Sequence, residues 1–214
     1  MKEHSIKIEK TAHYYTIGEL NKQTNELWIT CHGYGQLASY FIDKFQCLKN
    51  PNRYIVAPEG FNKFYLKGYS GRVGASWMTK EKRLDEINDH CIFLEQLTDY
   101  LTNKAHPKCK IRILGFSQGT ATVSRWLLRT NHSLETLILW GGKIANDFNF
   151  EHYKQKHPNI QNFVVFGAED EFYTMENVNE YRKELSLLKA EWISYKGGHT
   201  IDTETLKVLS SKLT

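Results

Sequence analysis

At 214 residues, with 28 basic and 24 acidic side chains and 41% hydrophobic content, the chain has the size and composition of a single globular domain spanning residues 1–214. A net charge of +4, with no block of like charges and no basic stripe interleaved with aromatic residues, argues against a nucleic-acid partner. No apolar run is long enough to cross a bilayer, and the polar start "MKEHSIKIEKTAHYY" lacks a signal-peptide core, so no stable membrane association and a cytoplasmic location are expected.

The chain opens with "SIKIEK" and "HYYTIGE", whose alternation of apolar and polar residues predicts an antiparallel hairpin on a sheet edge. Residues 27–31 ("LWITC") predict a first core strand, followed by a helix over about 37–45. A second strand at 54–58 precedes an aromatic, glycine-punctuated loop and then a helix over 81–103. In that helix Leu84, Ile87, Cys91, Leu94 and Leu97 recur at three- and four-residue steps, which marks a buried face. Further strands at 111–116, 134–140, 163–167 and 190–195 are separated by helices over 119–129 and 178–188, and a helix over 203–212 closes the chain. This alternation predicts an α/β fold: a mostly parallel central sheet with helices on both faces, the hairpin at its edge and no separate lid domain. Ligands of such open sheets bind outside the carboxyl ends of the strands.

Cysteines 31, 47, 91 and 109 are far apart and form no C-x-x-C pair, which excludes zinc ribbons and thioredoxin-like motifs; free, partly buried thiols are expected.

Chemistry concentrates at the strand ends. Ser117 in "ILGFSQGTA" lies between a predicted strand and a predicted helix, where a nucleophile elbow requires it. The alternative is a serine that merely caps the helix. In the elbow reading Gly115 and Gly119 leave room for a cramped turn, and the N–H of Gln118 points at an oxyanion. A serine nucleophile needs a base and an orienting acid. Of the nine histidines, His199 alone stands in a glycine-rich loop between a strand and the last helix. The acid is expected after the strand at 163–167, where Asp170 fits best and Glu169 and Glu171 are alternatives. The glycine-rich turn "HGYGQ" after the first core strand offers the N–H of Tyr34 as a second oxyanion donor.

The same turn also fits G-x-G-x-x-A, with Glu59 at the end of the next strand, the pattern of a dinucleotide site. That reading leaves Ser117, Asp170 and His199 without a role. A triad in the order Ser, Asp, His uses all the loops in one chemistry.

With "HGYG", "SW", "GFSQG", "GAED" and "GGH" in place, the chain from Leu27 onward resembles the phospholipase/carboxylesterase family of serine α/β-hydrolases, which includes the acyl-protein thioesterases. The resemblance implies the triad Ser117, Asp170 and His199, an oxyanion donor at Tyr34, and hydrolysis of carboxylic ester or thioester bonds without metal or cofactor. Gln36 stands where the family's turn usually carries an aspartate, and Thr120 where the elbow usually carries another glycine. The expected partner is a small or short-acyl ester or thioester, acted on by a monomer or homodimer. Phe61, Phe64, Tyr65, Tyr69 and Trp77 either line an acyl or aryl pocket or pack their loop onto the body. A hydrolase fold kept as a non-catalytic small-molecule receptor or partner-binding module is the alternative function.

Overall fold

The computed structural model describes residues 1–173 and 175–213, and for Met175 and Glu176 the backbone alone. In chain order the elements are β1 (Tyr14–Ile17), β2 (Glu26–Cys31), α1 (Ala38–Phe41), β3 (Arg53–Pro58), β4 (Asn62–Tyr65), β5 (Val73–Ser76), α2 (Arg83–Thr102), β6 (Lys110–Phe116), α3 (Gln118–Leu127), β7 (Thr136–Trp140), α4 (Phe150–Lys156), β8 (Gln161–Gly167), α5 (Met175–Glu184), β9 (Glu191–Tyr195) and α6 (Thr203–Lys212). Tight 3₁₀ turns extend α1 over Ile42–Leu48 and α5 over Leu185–Leu188.

Seven strands form one sheet in the order β1-β3-β2-β6-β7-β8-β9. All neighbours pair in parallel except β1, which runs antiparallel to β3. Both faces are covered, which explains why the central strands read as continuous apolar runs rather than alternating ones. Successive side chains still divide between the faces. Ile113 and Leu139 pack under α2 and α3, while Leu114 and Trp140 pack under α1 and α6. The chain runs from β2 outward to β3 and then returns to place β6 on the other side of β2. The strand order therefore reverses between β2 and β6, the switch point at which a crevice opens.

The structure departs from the sequence expectations in a few places. The antiparallel edge exists, but β1 makes it alone with β3; residues 5–10 form no strand, and Ile6 and Ile8 are exposed, with no face to be buried against. Leu84 falls in the first turn of α2 and is 77% exposed, so the buried stripe starts at Ile87 and runs through Cys91, Leu94 and Leu97 to Leu101. The loop after β3 contains an antiparallel hairpin, β4–β5, with Asn62 opposite Ser76. The short α4, capped by the Asn149 side chain, has no counterpart among the predicted elements.

The amino ends of the central strands hold a charged cluster. Arg112, fully buried, and Arg53 both reach the Glu26 carboxylate, at 2.5 and 2.7 Å, and Arg112 also lies 3.4 Å from Glu135. Cys31 and Cys91 are buried and Cys47 and Cys109 half-buried, all as free thiols. Among the described residues no helix is long and apolar enough to cross a membrane.

Candidate active site

Ser117 sits between β6 and α3 with φ 53° and ψ −117°, a backbone conformation that costs a non-glycine residue energy and persists only where its surroundings enforce it. Its N–H donates to the Trp140 carbonyl at 2.9 Å, fixing the turn against the end of β7. Its side chain makes no capping hydrogen bond to α3, so the helix-cap alternative has no support in the geometry. Close approach explains the flanking glycines: a Cβ on Gly119 would lie 2.2 Å from the Cys31 carbonyl oxygen, and one on Gly115 would lie 2.5 Å from the Gly119 carbonyl oxygen. Thr120 takes the place of the family's further glycine without crowding. Its hydroxyl shares its proton between the carbonyls of Ser117 and Lys143, at 2.7 and 2.6 Å, tying the elbow to the loop after β7.

His199 follows β9, and its Nδ1 donates to Asp170 Oδ2 at 2.8 Å. Of the three adjacent acids, Asp170 is the buried one and makes this contact; Glu169 and Glu171 are exposed. The other oxygen of Asp170 accepts from the Phe172 N–H at 2.9 Å, so the carboxylate is held from both sides. The imidazole is gripped between Phe116 and Phe172, each with ring centroids 4.8 Å away. Gly141, at φ 55°, passes beside it, where a Cβ would come within 3.4 Å of the ring. Ser117 and His199 line the same cavity. No hydrogen bond joins their side chains among the described residues; such contacts between nucleophile and base are often long before substrate binds.

The turn after β2 packs directly on the elbow, since a Cβ on Gly33 would come within 3.0 Å of the Ser117 Cβ. Three of its N–H groups are consumed internally: Gly33 donates to Gln36 Oε1 (2.8 Å), Gly35 to the Ala75 carbonyl (2.9 Å) and Gln36 to the Gly33 carbonyl (3.3 Å). The N–H of Tyr34 is left without an acceptor among the described residues. Gln36 thus braces the turn from the position where the family usually has an aspartate.

Beneath it, His32 is fully buried and donates from Nδ1 to the Gly33 carbonyl (2.8 Å), while its Nε2 accepts from the Gly60 N–H (3.0 Å). That pattern requires the neutral imidazole, and burial pushes its pKa down to about 4. The dinucleotide reading fails on Glu59, whose carboxylate is buried and occupied by the Ala38 N–H (3.1 Å) and by Lys63 (2.7 Å).

Gln118, at the first position of α3, uses its side chain to hold the end of β5. Its Oε1 accepts from the Trp77 N–H at 3.0 Å, and its Nε2 donates to the Met78 carbonyl at 2.8 Å. The sequence marks Gln118 for its backbone only, and nothing in the elbow motif signals this second task of its side chain.

Of the two readings of the five loop aromatics, pocket lining or packing of the loop onto the body, the lining of the cavity at Ser117 includes none of them. Trp77 is core: it is 1% exposed, stacks on His32 at 5.0 Å and donates to the His32 carbonyl at 2.9 Å. Phe61 packs on Phe93 of α2. Phe64 stacks at 5.1 Å on Tyr34 beside the turn, while Tyr65 and Tyr69 are exposed on the hairpin. The cavity, about 460 Å³ in volume, is lined instead by Met78, Ile144, Phe172 and Tyr173 and by three cations, Arg83, Arg125 and Lys143. Lys143 had a readable signal, because the segment "WGGK" carries the chain out of β7 at its carboxyl end.

A mostly parallel sheet with helices on both faces, an elbow at the switch point and an acid and a histidine on later strand ends define an α/β-hydrolase. Residues 12–214 match the phospholipase/carboxylesterase family, and the chain belongs to it. Among solved structures it is similar to esterase PE8 (TM-score 0.71, 20% identity, covering 96% of this chain and 100% of that one). It is also similar to a phospholipase/carboxylesterase from Dyadobacter fermentans (0.70, 19%, 95% and 96%) and to acyl-protein thioesterase 2 of Zea mays (0.67, 14%, 96% and 100%). At these identities the likeness is one of fold. Among curated proteins none matches this sequence.

Proposed function

We propose that the protein is a serine hydrolase that cleaves carboxylic esters, with thioesters as the neighbouring chemistry, through Ser117, His199 and Asp170. The observation that carries this reading is the strained, uncapped Ser117 sharing a cavity with a histidine already oriented by a buried aspartate at 2.8 Å. With Nδ1 committed to Asp170, the imidazole presents an unprotonated Nε2 to the cavity side, the tautomer a general base requires. His199 takes the proton of Ser117 as Oγ attacks the carbonyl, and Asp170 holds the ring and balances the imidazolium that forms. The N–H groups of Gln118 and Tyr34 receive the oxyanion. His199 then returns the proton to the leaving alcohol or thiol, and water releases the acyl group by the same route.

Hydrolysis of 4-nitrophenyl butyrate tests the assignment. Ser117→Ala is expected to lower kcat by at least about 10³-fold, and Asp170→Asn by about 10²–10⁴-fold through loss of the oriented tautomer. An Asp170→Asn enzyme of undiminished kcat would remove the aspartate from the mechanism. A Ser117→Ala enzyme that still turns over would remove the serine and favour the non-catalytic reading of this site.

A further inference from the structure

The charge around the cavity is one-sided. Arg83 from the start of α2, Arg125 from α3 and Lys143 from the loop after β7 all line it, and among the described residues no carboxylate does. Two carboxylates stand outside the lining: Asp170, bonded to His199, and Asp147, which accepts from Arg125 Nε at 3.1 Å and Nη2 at 2.8 Å and stands 4.0 Å from Arg83. Arg125 is 5% exposed, and its Nη1 has only the Met78 sulfur, at 3.4 Å, as an acceptor. Lys143 makes no ion pair among the described residues; its nearest recorded partner is the Tyr181 ring, 5.9 Å below. A buried guanidinium N–H whose acceptor is a thioether is a group that an oxyanion satisfies better.

Position agrees with charge. Arg125 stands eight residues beyond Ser117, about 12 Å along the axis at 1.5 Å per residue, and a helical side chain leans back toward the N-terminus. A group bound by Arg125 is therefore separated from the scissile carbonyl by a short spacer and not by a long chain.

We propose that this cavity is an anion subsite, and that the substrate is an ester carrying a carboxylate or phosphate on a short spacer, bound by Arg83, Lys143 and the Nη1 edge of Arg125. The proposal rests on Ser117 being the nucleophile and adds the substrate class. The anion belongs either to the acyl part or to the alcohol part of the ester, and matched substrates separate the two.

The acyl arm compares 4-nitrophenyl hydrogen glutarate with 4-nitrophenyl valerate. The alcohol arm compares 3-butyryloxybenzoate with 3-butyryloxybenzamide. On one arm the anionic ester is expected to exceed its neutral partner in kcat/KM by about tenfold or more, chiefly through KM, and the preference should shrink as salt is added. The double variant Arg83→Gln/Lys143→Gln, both changes at exposed positions that do not threaten folding, should bring the ratio toward one. Lys207→Gln on α6, remote from the cavity, should leave the ratio where it was.

Neutral esters preferred on both arms, or an anion preference indifferent to salt and to the double variant, would overturn the subsite while the serine reading stands on its neutral turnover. No turnover of any of the four esters, with Ser117 unreactive, would overturn both.

Discussion

The two ends of the central sheet use charge in opposite ways. At the amino ends of the strands, Glu26 lies between Arg53 and Arg112, and Glu135 binds Lys110 beside them, so each carboxylate is surrounded by the cations it neutralises. At the carboxyl ends, Arg83, Arg125 and Lys143 face a cavity with one carboxylate among them, and that one lies outside the lining. Among the described residues the positive-φ non-glycines are Lys82, Ser117 and Lys189, and of these Ser117 is the one that directly follows a strand, with glycines packed closely around it. Ion pairs at the first end cost stability when broken, whereas at the second Arg83 and Arg125 share the single carboxylate of Asp147 and Lys143 has no ion pair among the described residues.

The comparison breaks most visibly at Arg112. Arg112→Met is expected to cost about 3 kcal/mol, because it leaves Glu26 and Glu135 short of a buried partner. Arg83→Gln at the other end should change stability by less than about 0.5 kcal/mol, as exposed charges usually do. Urea unfolding at neutral pH measures both, and equal losses would show that the two clusters do the same work.

His90 sharpens the comparison through pH. It is fully buried against Trp77 at the site end, and neither ring nitrogen has a well-formed hydrogen bond among the described residues. Burial, reinforced by the charge of Arg125 and only partly opposed by the Trp77 backbone, pushes its pKa down to about 4. Unfolded, the same imidazole titrates near 6.5, so between these values the unfolded chain binds a proton that the folded one refuses. Stability is therefore intact above the unfolded value and lost as pH falls toward 4, by about 2 kcal/mol between neutrality and pH 5 from this group. His90→Leu should flatten that part of the pH–stability curve. A curve of unchanged slope would mean that His90 is hydrated or paired in solution.

The effect expected at Gln118 is smaller than those at Arg112 and His90. Gln118→Ala frees the end of β5 from the elbow and should lower kcat on neutral esters by about tenfold, since small misplacements of the reacting groups are costly. Activity at the wild-type level would show that the turn holds its shape without this brace.

Much of this organisation was legible in the sequence because it is local. The elbow needs a strand, a tight turn and a helix in succession, and residues 111–129 carry all three. His199 and the three acids 169–171 are legible as groups that come soon after strands, but which acid is buried against the histidine depends on turn geometry that the sequence leaves open. The rest is assembled across the fold. Arg83, Arg125 and Lys143 come from three separate segments, and no spacing in the chain joins them. Trp77 reads as a pocket aromatic because its loop is glycine-rich and comes after β3, yet β5 delivers it into the core against His32. Leu84 fits the period of α2 but lies in its first turn, where the helix has not yet reached the sheet.

The central claim is that Ser117 is an activated nucleophile, and covalent labelling tests it most directly. Wild type, Ser117→Ala and His199→Ala are incubated with a fluorophosphonate, and adducts are mapped by peptide mass spectrometry. One phosphonyl group per chain on Ser117, absent in Ser117→Ala and strongly slowed in His199→Ala, is the predicted result. A folded wild-type protein that takes no label at Ser117, or that labels equally fast without His199, would contradict the account.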